Sequence, residues 1–338
     1  MNTEPTPLII DTDVALGVWH DGRPRDIDDG FAIIEALNEP AIDLLGITTV
    51  YGNAPLSDTY RVAQELVALK QADIPVVPGA SEPLVQNAAL IQAAPPARTP
   101  AALTLNTCTA GALDGNGAID FLAQSLRRQR LSIASIGPLT NIALLALKHP
   151  ELMSQIDQLV IVAGRSPERQ FYIGDVGPVR DFNFENDVLA MQLLLDSQVP
   201  IVLAGFELTS QVCINADDLA QIKQQASATA DYLYRNSLDW FEHWTRTFPS
   251  EAGFHPWDSA TISWIREPDL FLKEARGCHI KKARLRQSPT PENPDDSAAE
   301  GYQLVCSNTG EERPVTYLPG FREGGKRRFV EEICRLIY

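Results

Sequence analysis

The chain has 338 residues, 44% of them hydrophobic, enough to bury a large core as two ordinary domains or one large α/β domain, and the single domain over residues 1–338 is expected. Its 28 basic and 44 acidic side chains give a formal charge of −16, which opposes binding to nucleic acid or to an anionic membrane and favours a small neutral ligand or a cation. No apolar run of roughly 18 residues and no basic-then-apolar leader occur, so the cytoplasm is the expected compartment.

In chain order, Leu8-Ile9-Ile10 is a short apolar run ending in charge, read as a buried strand that delivers Asp11-Thr12-Asp13. After an interruption, Asp26-Ile27-Asp28-Asp29 opens a helix-like stretch, Gly30 to Leu37, with Asp28 and Asp29 at its positive end. A second strand, Ile42 to Tyr51, closes a βαβ unit and runs out in Gly52-Asn53. Open α/β sheets bind ligands beyond the carboxyl ends of their strands, where these acids lie. The stretch Ser81 to Thr109 is loop-like at its centre, Ala94 to Ala97. Ser135 to Ala143 reads as a strand leaving through Gly137-Pro138 into an Ala/Leu-rich helix.

Further strand-like runs at Leu131 to Ile136, Gln158 to Val162 and Ile201 to Ala204, with helices between most of them, predict an α/β fold with a mainly parallel central sheet flanked by helices. Ala226 to Thr247 reads as a helix carrying Leu233, Trp240 and Trp244, with Tyr234 and Phe241 one position along; the stripe is either core-facing or an aromatic wall over a site. Gln287 to Arg313 is a polar excursion expected to be a surface loop. The five cysteines, Cys108, Cys213, Cys278, Cys306 and Cys334, form no CxxC pair and are expected to be reduced, mostly buried thiols.

Asp11, Asp13, Asp28 and Asp29 offer only oxygen, which suits a hard cation. Any one of them alone has a plain structural use, as a helix cap or a strand end. Gathered together without a counterion they would repel, and a metal would relieve that repulsion.

With these pieces in order, the chain resembles the inosine-uridine-preferring nucleoside hydrolase family. The family opens with Asp-x-Asp at a strand end and Asp-Asp before a helix, matched by Asp11, Asp13, Asp28 and Asp29. Its Ile-Thr-Thr-Val-x-Gly-Asn is matched by Ile47 to Asn53 and its Gly-Pro-Leu-Thr-Asn by Gly137 to Asn141. Gly174-Asp175 and Asp181-Phe182-Asn183 resemble its Gly-Asn and Glu-Phe-Asn, and Trp257-Asp258 its late His-Asp. The resemblance implies a nucleoside hydrolase-like fold and a homo-oligomer, dimer or tetramer. It also implies a ribonucleoside hydrolase that releases free base and ribose from purine or pyrimidine nucleosides. In such enzymes Ca²⁺ is bound by Asp13, Asp29, Asp258 and the main-chain carbonyl of Thr140, with Asp11 orienting that shell or sharing in it. The ion holds a water whose proton Asp13 accepts; Asp28 hydrogen-bonds the ribose, and Asn53 and Asn183 hold other sugar hydroxyls.

Three departures bear on specificity. Fourteen residues, Val14 to Ile27, separate Asp13 from Asp28 where family members carry only a few; the insert is either a bulged surface loop or a flap over sugar and base. Asp175 and Asp181 stand where the family has Asn and Glu, so Asp181 reaches less far toward a 5′-hydroxyl and the acid at Asp175 disfavours a 5′-phosphate, pointing to a nucleoside rather than a nucleotide. Trp257 replaces the late His; it can stack on a base but cannot shuttle a proton, leaving His255 as the candidate acid, with His243 and His20 behind it.

Two rival readings stay open. Ile10-Asp11-Thr12-Asp13 mimics a haloacid-dehalogenase-like phosphatase, although Ala15 stands where that family has Thr or Val and no later Lys motif follows. The other is a non-catalytic sugar- or nucleoside-binding homologue that keeps the metal cage.

Overall fold

The computed structural model describes residues 4–85, 104–294, 298–308 and 314–337. The predicted centre of the Ser81 to Thr109 loop, Ala94 to Ala97, lies outside them. Nine strands form one sheet in the order β12-β11-β13-β8-β7-β6-β1-β4-β5. These are β1 Thr6–Thr12, β4 Ile42–Thr49, β5 Val76–Pro78, β6 Leu131–Ser135, β7 Ile156–Val162, β8 Ile201–Ala204, β11 Phe271–Leu285, β12 Ala299–Ser307 and β13 Val315–Phe321. From β5 across to β13 every pairing is parallel, and β11 and β12 add an antiparallel edge. No helix among the described residues is long and apolar enough to cross a membrane.

The apolar runs are continuous because both faces of the sheet are covered. Along β1, Leu8 and Ile10 enter one core cluster and Ile9 the other; Val160 and Val202 join the first, while Leu159, Ile161, Ile201 and Leu203 join the second. A period of two thus divides each strand between two cores, and the strand ends between those cores carry the polar residues.

The C-terminal edge differs from the expectation. Ala299–Ser307, inside the stretch read as a surface loop, is a strand paired along β11. Its first two residues, Ala299 and Glu300, are exposed, which hides the strand in the sequence, while Leu304 to Cys306 are buried. The same register sets Cys278 opposite Cys306, and the two form a disulfide with Cα atoms 4.2 Å apart; Cys108, Cys213 and Cys334 are half-buried and not in a disulfide. The expectation of five reduced thiols is corrected by a pairing across 28 residues that only the register brings about.

The helix predicted from Ala226 begins at Ala228, because Ala226 takes a positive φ of 53° and Ser227 caps the helix by accepting from Ala230 N at 3.0 Å. The Asp28–Asn38 helix is buried along most of its length, including Glu35. Ser259 Oγ donates to Glu35 Oε1 at 2.5 Å, Oε2 has no partner, and burial lifts the carboxyl to about 8. Glu35 therefore keeps its proton when folded at pH values where the unfolded chain has released it. Its stabilising share is whole below the ordinary carboxylate range and is lost as the pH rises through about 8. Glu35→Gln is expected to raise Tm by about 2–4 °C at pH 8 and to change it little at pH 5, measured by thermal denaturation in both buffers.

Candidate active site

Four segments converge at the carboxyl ends of the central strands. From β1, Asp11 is wholly buried: Thr48 Oγ1 and Asn141 Nδ2 donate to its Oδ1 at 2.6 and 2.8 Å. Burial raises its pKa to about 6 against the pull of these bonds. Asp11 does not line the cavity described below; it ties β1 to β4 and to the Thr140–Lys148 helix, and so orients its neighbours.

Asp13 accepts from Asn53 N at 2.6 Å through Oδ2, while its buried Oδ1 has no partner. A Cβ at Gly52 would stand 2.0 Å from Asp13 Oδ2, and one at Gly137 would stand 2.8 Å from Asp13 N. Glycine at both positions is what lets two neighbouring strand ends close on this carboxylate.

Asp28 and Asp29, at the start of their helix, meet Asp258, before the Ser259–Arg266 helix, with carboxylate oxygens all within 4.8 Å of one another. All three are buried, and Thr12 Oγ1 donates to Asp29 Oδ1. Burial, then the mutual repulsion of Asp258, Asp26, Asp29 and Asp13, lifts Asp28 well above the carboxylate range. Burial and Asp29 do the same to Asp258, and Asp29 itself rises to about 7. An all-oxygen set with an unpartnered buried oxygen beside it fits a hard divalent cation, and this cluster could hold one.

Thr140 is the first residue of its helix and buried, and its Oγ1 donates to Asp187 at 2.7 Å. Asn183, which lines the cavity described below, donates through Nδ2 to Ile136 O at 2.8 Å.

A cavity of about 220 Å³ opens from the carboxylates, and Asn53, Asp181, Asn183 and Trp257 also line it. Asp181 is held by Gly164 N, 2.9 Å from its Oδ2. Asp175 lies elsewhere: Ile173 and Val176 close on each other through paired 3.0 Å bonds and leave Gly174-Asp175 at an exposed tip. His255 is outside the wall as well. It is buried behind Trp257, 4.4 Å between ring centres, with Nδ1 2.7 Å from Val212 O and Nε2 3.4 Å from Glu251 Oε2. Both ring nitrogens face protein, so the expected acid has no line to a ligand.

The Ala228–Thr247 helix serves both of its readings. Leu233 and Trp244 enter the core, while Trp240, His243 and Trp244 line the cavity. Facing them is the insert, a hairpin of β2 Trp19–His20 and β3 Arg23–Pro24 turning through Asp21 and Gly22, both at positive φ. Trp19 Nε1 donates to Asp239 Oδ2 at 2.8 Å and fastens the hairpin to the aromatic helix. Arg23 to Asp26 line the cavity, so the insert is part of its wall rather than a surface bulge. Asp26, given no role from the sequence, stands beside Asp28 with its pKa raised to about 6 by burial; its place in Asp26-Ile27-Asp28-Asp29 was the available signal.

Residues 8–313 match the family model described as inosine-uridine preferring nucleoside hydrolase. The pyrimidine-specific ribonucleoside hydrolase RihA of Escherichia coli O127:H6 is 31% identical over 265 residues, 74% of this chain and 79% of that protein. An uncharacterized protein, C1683.06c, of Schizosaccharomyces pombe is 30% identical over 249 residues, 72% of this chain and 78% of its own. Among solved structures, a purine-preferring ribonucleoside hydrolase from Gardnerella vaginalis superposes with a TM-score of 0.73 at 20% identity, covering 98% of both chains. The plant nucleoside hydrolase PpNRh1 gives 0.71 at 21% identity, covering 98% of this chain and 99% of that one. These structural likenesses carry the fold.

Without a cation the raised carboxylates hold protons, and their stabilising share is lost as the pH climbs through about 6 for Asp26 and about 7 for Asp29. A divalent cation competes with those protons. Adding Ca²⁺ at a hundredfold excess over its dissociation constant should stabilise the protein by about 3 kcal/mol, with a larger rise in Tm at pH 8 than at pH 5. Asp258→Asn should remove that rise and leave the Tm measured in chelator no lower.

Proposed function

The chain belongs to the inosine-uridine-preferring nucleoside hydrolase family, and from that premise we propose that it cleaves ribonucleosides with a water activated at Asp13 beside a bound Ca²⁺. It is a nucleoside hydrolase; the mechanism and the ion are the proposal. The observation that carries them is the buried meeting of Asp28, Asp29 and Asp258 in a cavity that Trp240, Trp244 and Trp257 also line.

Asp13, Asp29 and Asp258 would hold the ion; they come from three separate segments, a loose arrangement that suits the flexible coordination of Ca²⁺. When bound, the cation supplies Lewis acidity that lowers the pKa of a water and anchors vicinal hydroxyls. Asp13 Oδ1, which has no partner, accepts the water's proton. Asp28 accepts from a ribose hydroxyl, and Asn53 and Asn183 stand where they reach others. As the N-glycosidic bond stretches, positive charge spreads over the sugar ring, and the carboxylates stabilise it in a site shielded from water.

On the base side, Trp240 and Trp257 offer faces for stacking. His243 is the titratable group there; burial and Arg23 lower its pKa, so near neutrality it is an uncharged hydrogen-bond partner rather than a cationic acid. The departing base then takes its proton from solvent or through the His243 N–H. His255 fixes the ring of Trp257 from behind. A homo-oligomer, dimer or tetramer, is part of the same reading.

A panel of purine and pyrimidine nucleosides assayed with and without chelator should release reducing sugar only where Ca²⁺ is present. Asp13→Ala should lower kcat by about 10³-fold or more with Tm nearly unchanged. Wild-type-like turnover in that variant would remove Asp13 from the mechanism.

A further inference from the structure

The cavity carries a second set of charges, opposite in sign to the first. Arg23 and Arg25 of the hairpin, Arg180 and Arg286 all line it, in a chain whose net charge is −16. Burial depresses the ionisation of Arg25, Arg180 and His243, and Arg23 lies close enough to each to add to the effect. Among the described residues no ion pair engages Arg23, whereas Arg25 pairs with Asp21, itself largely in solvent. Arg180 is packed with its guanidinium carbon 4.5 Å over the Phe182 ring and gives Nη2 to Asn186 Oδ1 at 2.7 Å. Its Nε and that of Arg25 are buried without partners. Asp181 and Glu185 balance Arg180 in part. After burial, the largest influences on Asp28 and Asp258 are other carboxylates, with no arginine among them. Cations gathered in one cavity beside Asp26 and Asp181, with buried donors left over on Arg25 and Arg180, make a place for an anion.

The direction of that anion follows from what surrounds it. With the sugar's hydroxyls at the carboxylates and the base against the indoles, the remaining handle of a nucleoside is its 5′-oxygen. Arg180 directly precedes Asp181-Phe182-Asn183 on the sugar side, and it perturbs Tyr51, which also feels Asp13. The acid expected to repel a 5′-phosphate, Asp175, is exposed and outside the cavity.

We infer that Arg23, Arg25 and Arg180 form a subsite for a phosphate on the substrate's 5′-oxygen, so that a ribonucleoside 5′-monophosphate is taken in preference to the bare nucleoside. The cleavage chemistry rests on the function proposed above; the subsite is a statement about binding. In the reaction, water adds its oxygen to C1′ as the C1′–N bond breaks, its proton passes by way of Asp13, and the base leaves protonated. The products are ribose 5-phosphate and free base.

The test titrates the Ca²⁺-loaded protein with ribose 5-phosphate and with ribose in a calorimeter, and compares kcat/KM for UMP with uridine and IMP with inosine. Ribose 5-phosphate should bind at least about tenfold more tightly than ribose. Arg180→Gln should reduce that ratio about tenfold, and Arg23→Gln, on the half-buried hairpin, gives the same readout should the first variant fold poorly. Equal or weaker binding of ribose 5-phosphate, or a ratio untouched by Arg23→Gln, overturns the subsite even if nucleosides are cleaved. Tight, arginine-dependent binding of ribose 5-phosphate with no base released from any substrate leaves the subsite standing and overturns the hydrolytic reading. Preference for orotidine over uridine with none for ribose 5-phosphate moves the anion to the base and overturns the 5′ assignment.

Discussion

The repulsion among buried carboxylates governs this molecule. Asp28, Asp29 and Asp258 meet with almost no water to screen them, and the buried Asp13, from a third place in the chain, is near enough to be repelled by Asp29. Such a group persists only if protons or a cation occupy it, and the surroundings are shaped to allow either. Thr12 restrains Asp29, the Asn53 amide restrains one oxygen of Asp13, and Gly52 and Gly137 leave room for backbone at contact distance. Asp11 takes part without facing the cavity, since Thr48 and Asn141 bind it into the strand ends. The sheet matters here chiefly as the frame that brings β1, β4 and β6 to the same height.

Much of this is visible in one dimension because the parallel strands announce themselves. Runs such as Leu8-Ile9-Ile10 are apolar on both faces, and each ends in the residues that make the site. The antiparallel edge is not visible, since β12 opens with the exposed pair Ala299 and Glu300 and its burial depends on β11, more than a dozen residues upstream. For the same reason the disulfide between Cys278 and Cys306 is a product of register that spacing alone does not disclose.

At the site, acids that share a strand end or a helix start were legible by type and position. What escaped was direction. His255 is near in sequence to Trp257 and Asp258, but its ring is held between Val212 and Glu251, away from the cavity. Asp175 sits at the tip of a tight turn. Each was placed correctly along the chain, and in each the local backbone sets where its polar atoms aim.

The insert between Asp13 and Asp28 has a consequence for how such a fold can change. The cage is anchored from behind, by β1 on one side and by the helix that Asp28 begins on the other, so chain length between them is not fixed by the cage. The hairpin fills that freedom and is fastened across the cavity by Trp19 to Asp239, on an element that contributes no carboxylate to the cluster. Specificity and metal geometry are thereby modular: a loop can be lengthened, recoloured in charge or exchanged as a cassette while the reactive centre stays where the sheet puts it.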